Sequence, residues 1–370
     1  MTRILSLSTC TIIVFLLLSA CTQTGKDTQA ITFSEPVQFN PPGYVCYRLA
    51  HPINIDGKLS PEEWENIPWT ADFTDIEGAI RPKPHLQTRA KMAYDSTGMY
   101  FAARMEEPHV WGTITQHDAV IFHDNDFEIF LNPSGDTHNY LEYEVNALGT
   151  VWDLFLTKPY REGTVVLNNW EFAGMKSAVH VDGTINNPND TDRSWSVEVF
   201  IPWESIYQPT RRTKMPQAGE QIRVNFSRVE WTTAIENGQY TKVPIAGEDK
   251  IREYNWVWAP TGVIDIHRPE FWGFVQFSER QGGEGEEDFV LHPEEEVKWM
   301  LRNLYYRQSH YYKTYGYYAE NPADLQAQAI CDDEQIKAMR IYTSPSAYEL
   351  TLPYREELWH IRQDGLVWKK

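Results

Sequence analysis

The chain has 370 residues, 42% of them hydrophobic, enough to bury a large core and leave room for a second, smaller unit. Its formal charge of −19 argues against nucleic acid and against an anionic membrane face as partners. Aromatics reach 14%, with 14 Trp and 20 Tyr, a supply that packs a core and also suits flat, polar-edged ligands.

Met1-Thr2-Arg3 is a short basic start, followed by an apolar run through Leu18. The run is too short and wrongly flanked for a spanning helix and reads as a secretory signal. It closes on Leu18-Ser19-Ala20-Cys21, which resembles the bacterial lipoprotein cleavage box. The resemblance implies cleavage ahead of Cys21 and lipidation of its thiol, against the plainer reading of an ordinary signal that ends near a cysteine. A diacylglycerol plus an amide-linked acyl chain exceeds the two signals that stable anchoring needs. Loss of residues 1–20, which carry only Arg3 as a charge, makes the chain one unit more negative. Residues 21–42 are polar and aperiodic, as a tether would be. Cys10 leaves with the signal, so Cys46 and Cys331 remain, and spacing alone leaves their pairing open. No zinc spacing is present.

From Tyr44 the chain reads as short strands separated by turns. Pro52 to Gly57 is a strand ending in a turn, and Ser60-Pro61-Glu62-Glu63-Trp64 begins a brief helix. Strand-like runs follow at Thr88 to Tyr94 and Met99 to Arg104. Phe122 to Tyr160 then alternates twice with period two, the mark of half-buried strands. Phe127, Ile129 and Leu131 point one way and Asp124, Asp126 and Glu128 the other. After the turn at 132–136, Leu141, Tyr143, Val145 and Ala147 share one face, and Tyr140, Glu142, Glu144 and Asn146 the opposite one. A third strand runs from Thr150 to Thr157. One greasy face and one carboxylate-rich face call for a second sheet behind, and the polar face is the candidate site. Further strands fall at Ser177 to Ile185, Trp195 to Ile201, Gln221 to Trp231 and Phe271 to Phe277, with a short helix after Pro202. Many short strands and no βαβ rhythm predict an all-β, antiparallel β-sandwich, jelly-roll-like, over 43–279.

Residues 280–291 are rich in Gly and Glu and read as a linker. A small α+β tail, 292–370, follows: a helix opened by His292-Pro293-Glu294-Glu295-Glu296 and stopped near Gly316, a strand through Tyr348, Leu350 and Leu352, and a hairpin turning at Asp364-Gly365. No chemistry is visible in it.

Several of these stretches together carry a resemblance. They are Asn54-Ile55-Asp56-Gly57 with Glu63-Trp64, Asp126 to Phe130, Ser196-Val197-Glu198 leading to Ile201-Pro202-Trp203, and Val224-Asn225-Phe226 with Trp258 to Gly262, His267-Arg268-Pro269 and Gly273. In order and spacing they look like carbohydrate-binding module family 9, over roughly residues 50 to 279. The resemblance implies a sandwich that binds an oligo- or polysaccharide without catalysis, with structural calcium ions. It implies two aromatic rings that clamp the sugar and a glutamate in the central strand. That glutamate falls on Glu128. The first ring position falls on Phe122 where the family has tryptophan, and the second falls near Trp231. Arg228 and Glu198 occupy other polar positions of the family, and Glu144 stands where the family motif has arginine. Trp111 is placed to supply the missing indole. The physical logic agrees: rings cover the apolar C–H face of a pyranose, and carboxylates, Asn and Arg meet its hydroxyls. Trp152, Trp195 and Trp203 read as core.

Asp124, Asp126 and Glu128 at i, i+2, i+4 form an all-oxygen set suited to calcium. An EF-hand is excluded, since Ile129 holds the sixth position where that loop needs glycine. The loop 186–192 is a second calcium candidate beside the plainer reading of a turn. Competing functions are a structural envelope lipoprotein, and a glycoside hydrolase built on Glu128, Glu144 and Glu198. The hydrolase needs carboxyls roughly 5–5.5 or 6.5–9.5 Å apart across a cleft. Haem held by Met92, Met105, His117 or His123 is a further alternative. The expected setting is the outer membrane of a Gram-negative-type envelope, with the lipid as the only membrane contact and other polysaccharide-utilisation proteins as company.

Overall fold

The computed structural model describes residues 31–210 and 215–370, so the signal and Cys21 lie outside the described residues. In chain order the first strands are β1 (Gly43–Arg48), β2 (Thr74–Asp75), β3 (Thr88–Tyr94), β4 (Gly98–Glu106), β5 (Asp126–Asn132), β6 (Tyr140–Asn146), β7 (Val151–Leu156) and β8 (Val166–Leu167). Then come β9 (Lys176–Asp182), β10 (Ser194–Pro202), β11 (Gln221–Trp231), β12 (Thr233–Glu236), β13 (Gln239–Lys242), β14 (Glu253–Val257) and β15 (Gly273–Gln281). Helices α1 (Pro61–Trp64) and α2 (Trp203–Tyr207) are single turns.

Hydrogen bonding runs β8-β7-β6-β5-β11-β15-β1-β3-β4-β10-β9, with β14 beside β11 and β2 beside β14. The corner is β1. Its first residues pair with β15, and Tyr47 and Arg48 pair with β3, so one continuous ladder folds over on itself into two layers. Their inner faces meet as period two requires. Phe127, Ile129 and Leu131 of β5 and Leu141, Tyr143 and Val145 of β6 share a core with Met92, Phe101, Val197 and Val199 from the other layer. This is the β-sandwich expected of the sequence.

The family-like motif at its lower layer is held by one carboxylate. Glu198 is fully buried and accepts from the backbone N–H groups of Asp56, Gly57 and Leu59 and from the Trp64 indole. Those four donors tie the stretches Asn54 to Gly57 and Glu63-Trp64 to the stretch Ser196 to Glu198. They are one joint.

The tail consists of α3 (Glu294–Tyr315), α4 (Asp333–Ala338) and a sheet of β16 (Arg340–Thr343), β17 (Tyr348–Tyr354), β18 (Glu357–Arg362) and β19 (Val367–Lys369). Val297, Leu301 and Leu304 of α3 pack onto Leu350, Leu352 and Ile361 of that sheet. The unit docks on the sandwich through buried polar groups. Arg223 of β11 meets Glu295 at 2.7 Å, Arg302 donates to the Asp136 carbonyl and Thr137 hydroxyl, and Tyr306 donates to Glu270. The stretch 280–291 is not loose: Glu287 accepts from Gln276 and Ser278, and its N–H donates to the Tyr47 hydroxyl.

Nor are residues 31–42 a free tether. Ile31 and Phe33 pack on the tail's core, Phe39 stacks on Trp299 at 4.7 Å, and both backbone polar groups of Val37 bond to α3 side chains. Apolar residues spaced through a polar segment made this strap, and the overall polarity of the stretch masked them. Cys46 and Cys331 are both free and buried in separate cores, so they form no disulfide. Burial holds both thiols up, Cys331 at about 12.

Candidate functional site

The outer face of β5, β6 and β7 has two kinds of residue. One end is apolar, where Phe130, Tyr140, Leu154 and Leu156 pack beneath Trp272. The other end carries carboxylates in direct register: Glu128 lies opposite Glu144, and Asp126 opposite Asn146. Over their junction opens a pocket of about 490 Å³. Phe122, Trp152 and Tyr160 supply aromatic surface, and Glu128, Glu142 and Glu144 form the sheet side. Glu253, Asn255, Asp265 and His267 approach from β14 and the loop before β15. None of the lining residues is lysine or arginine.

The carboxyl groups are deeply placed. Exposure is 0% for Asp126, 5% for Glu128, 3% for Glu142 and 2% for Glu144. Asp126 Oδ1 accepts from the Val229 N–H at 3.2 Å, while its Oδ2 has no partner among the described residues. Glu142 Oε2, Glu144 Oε2 and the Trp152 indole N–H are likewise buried without a partner. Burial pushes all four carboxyls up, Glu128 to about 7 and the other three well above the usual carboxylate range. The charge on Glu128 adds to the rise at the other three, whereas the Ser227 hydroxyl offsets part of it at Glu128. At the rim, burial and then Arg161 hold His267 down to about 3, so its imidazole is neutral. Burial and the nearby glutamates lift Tyr160 to about 12, so its phenol keeps its proton. Rings and acid or neutral oxygen groups thus surround a cavity of sugar size.

Of the residues expected from sequence, Phe122, Glu128 and Glu144 come together here. Trp111 and Trp231 meet elsewhere, sharing the ammonium of Lys242, which lies 3.5 Å from the Trp231 ring centre and 5.8 Å from that of Trp111. The Trp231 indole also donates to the Phe122 carbonyl, tying the two places together. Trp111 faces its own cavity of about 390 Å³, beside Asn186 and Tyr240.

Arg228 and Glu198 are not in the pocket. Arg228 has the parity of Phe226, which points between the layers, and there it is fully buried among Thr88, Glu107 and Glu230. Glu198 belongs to the joint described above. Asp124 also leaves the expected acidic set. It precedes β5, and its carboxyl accepts from Thr113, Ile114 and Asn146, fixing the preceding loop. Glu144 takes its place: ligand oxygens of Asp126, Glu128 and Glu144 all lie within 4.8 Å of one another. The calcium that the resemblance implies would find a fitting donor set in this trio, with orphaned oxygens on Asp126 and Glu144. In the loop 186–192 the oxygens are spent on turns: Asp192 accepts from Val110 and Thr184, and Asn186 bonds Gly112. Met92 and Met105 sit in the sandwich core and His117 pairs with Glu171, which removes the haem alternative's geometry.

Sequence reasoning missed Glu142, Trp152, Tyr160 and His267 as pocket residues. Glu142 was visible on the face of Glu144. Trp152 lies directly across from Glu144 in the ladder, and its alternation with Asp153 put a tryptophan on the outer face and an acid within. Tyr160 and His267 arrive on loops, and no local pattern announces them.

Residues 55–232 match the family model described as Carbohydrate family 9 binding domain-like. Among solved structures, a candidate carbohydrate-binding protein from Bacteroides uniformis aligns with 16% identity and a TM-score of 0.47, covering 65% of this chain and all of its own. A family 9 carbohydrate-binding module from Caldicellulosiruptor kristjanssonii, solved with cellotriose, aligns with 14% identity and a TM-score of 0.40, covering 67% of this chain and all of its own. The same organism's module solved with glucose gives 14% identity and 0.41, covering 66% of this chain and all of its own. No curated protein matches the chain.

Proposed function

We propose that this chain, whose residues 55–232 match the carbohydrate family 9 binding domain-like model, binds a glycan without catalysis in the pocket over β5, β6 and β7. The observation that carries the reading is the pairing of Phe122, Trp152 and Tyr160 with the carboxyls of Glu128, Glu142 and Glu144 around one cavity. Ring faces take the C–H side of a sugar, and the acids take its hydroxyls. Hydrolysis is disfavoured by the same geometry. Glu128 and Glu144 sit side by side on one floor, paired across adjacent strands, instead of facing each other across a cleft as a hydrolase pair does.

The lipoprotein box at 18–21 supports lipid attachment at Cys21 and an outer-membrane location, with polysaccharide capture or catabolism as the role and other polysaccharide-utilisation proteins as neighbours. Among the described residues no helix is long and apolar enough to cross a membrane.

A glycan array on residues 22–370, followed by titration calorimetry with its best ligand, tests the reading. Expected affinity is between about 1 μM and 1 mM, or roughly −8 to −4 kcal/mol. Trp152→Ala and Phe122→Ala should each weaken it by about 1.5–2 kcal/mol or more. An array without any retained glycan would favour the structural envelope role, and release of reducing sugar would restore the hydrolase.

A further inference from the structure

The trio Asp126, Glu128 and Glu144 poses a problem that the sugar pocket alone does not solve. Three carboxyls converge to within 4.8 Å from two paired strands, all nearly or fully buried. Asp126 Oδ2 and Glu144 Oε2 have no partner among the described residues, and leaving buried polar atoms unmatched costs about 1–3 kcal/mol each, more when charged. A proton shared between Glu142 and Glu144 would still leave Asp126 Oδ2 unmatched. A compact cation satisfies all three at once. The donors are hard oxygens only, with no nitrogen or sulfur among them, which suits calcium over a transition metal.

Calcium takes six to eight oxygens. Three carboxylates supply at most six, and Asp126 Oδ1 is already engaged by Val229. Glu128 and Glu144 line the pocket, whereas Asp126 lies behind them and does not. An ion among the three would keep its open positions toward the cavity. We propose that Asp126, Glu128 and Glu144 hold a calcium ion whose remaining coordination positions face the pocket, so that glycan hydroxyls bind through the metal. This extends the sugar-binding reading and rests on it for the identity of the second ligand. It also gives Glu144 a task in place of the arginine that the family motif carries at that position.

The test uses residues 22–370 stripped with EDTA. Calcium alone is titrated by calorimetry, bound metal is counted by elemental analysis, and melting is followed with and without millimolar calcium. One ion per chain is expected, with a dissociation constant on the order of 10⁻³ M or tighter, and a higher melting temperature in calcium. Asp126→Asn keeps the shape, sits outside the pocket lining, and should weaken calcium at least about tenfold, as should Glu144→Gln. Glycan affinity of the wild type should fall at least about tenfold in EDTA. Trp152→Ala should lose glycan yet keep calcium, which separates the two sites. Absence of bound calcium, with identical melts in EDTA and calcium, overturns the metal site while leaving any glycan binding intact. Calcium binding with unchanged glycan affinity in EDTA overturns the bridge. A chain that binds calcium through Asp126 and Glu144 but no glycan would sink the sugar reading and leave the ion in place.

Discussion

His267 stands at the pocket rim with Tyr160 edge-on at 4.4 Å and Phe130 edge-on at 5.8 Å, and one ring nitrogen bonds the Tyr140 hydroxyl. Burial and then Arg161 keep its imidazole neutral down to about pH 3, whereas an unfolded histidine protonates near 6.5. The sign follows from linkage. Its contribution is whole above about pH 6.5 and drains away as the pH falls toward 3, because the unfolded chain then binds the extra proton. At about pH 5 the loss should be roughly 1–2 kcal/mol. Melting temperature should therefore drop more steeply between neutral pH and pH 5 in the wild type than in His267→Gln. Equal slopes would show that the imidazole is not held neutral. At this scale the sequence was partly legible. Phe122, Glu128 and Glu144 were found because strand parity and motif order both pointed at them. Arg228 and Glu198 were misplaced because a motif tells which residues recur, not whether they recur to touch a ligand or to hold a joint.

Among the elements, the alternation in β5 and β6 was read with the right residues inward, since a one-residue slip would move Asp126, Glu128, Glu142 and Glu144 between the layers and the apolar set out of the core. β7 was harder: Trp152 and Leu154 face outward onto a second apolar patch, and Asp153 turns inward to accept from the Phe172 N–H. Such a strand is legible only once its cover, the loop carrying Trp272, is known. The strap at 31–42 was hidden for the same reason. Its phenylalanines need α3 nearby, about 260 residues later in the chain. A protein beginning at residue 43 should lose the Phe39–Trp299 stack and both Val37 bonds, at about 2–4 kcal/mol. One beginning at residue 31 keeps those contacts, as does one beginning at residue 22. Thermal unfolding of the three distinguishes them, and equal melts would show that the strap adds nothing.

For the whole molecule, the seam between sandwich and tail is charged and buried, so the two halves share their stability. Glu295→Ala would strand Arg223, which among the described residues has the Glu270 and Trp272 carbonyls as its other acceptors. Breaking such a pair costs about 3–5 kcal/mol. Calorimetry should show one transition in the wild type, and in the variant a lower or split one. An unchanged trace would mean that the seam carries no load. The strap also sets a distance. Under the proposed lipid anchor at Cys21, about ten residues lead from the bilayer to Ile31, the first described residue, which packs on the tail. Fully extended, they reach about 35 Å, roughly half of what a leash free as far as residue 42 would allow. Under that proposal Ile31, and the tail it packs on, would stay within a few nanometres of the bilayer.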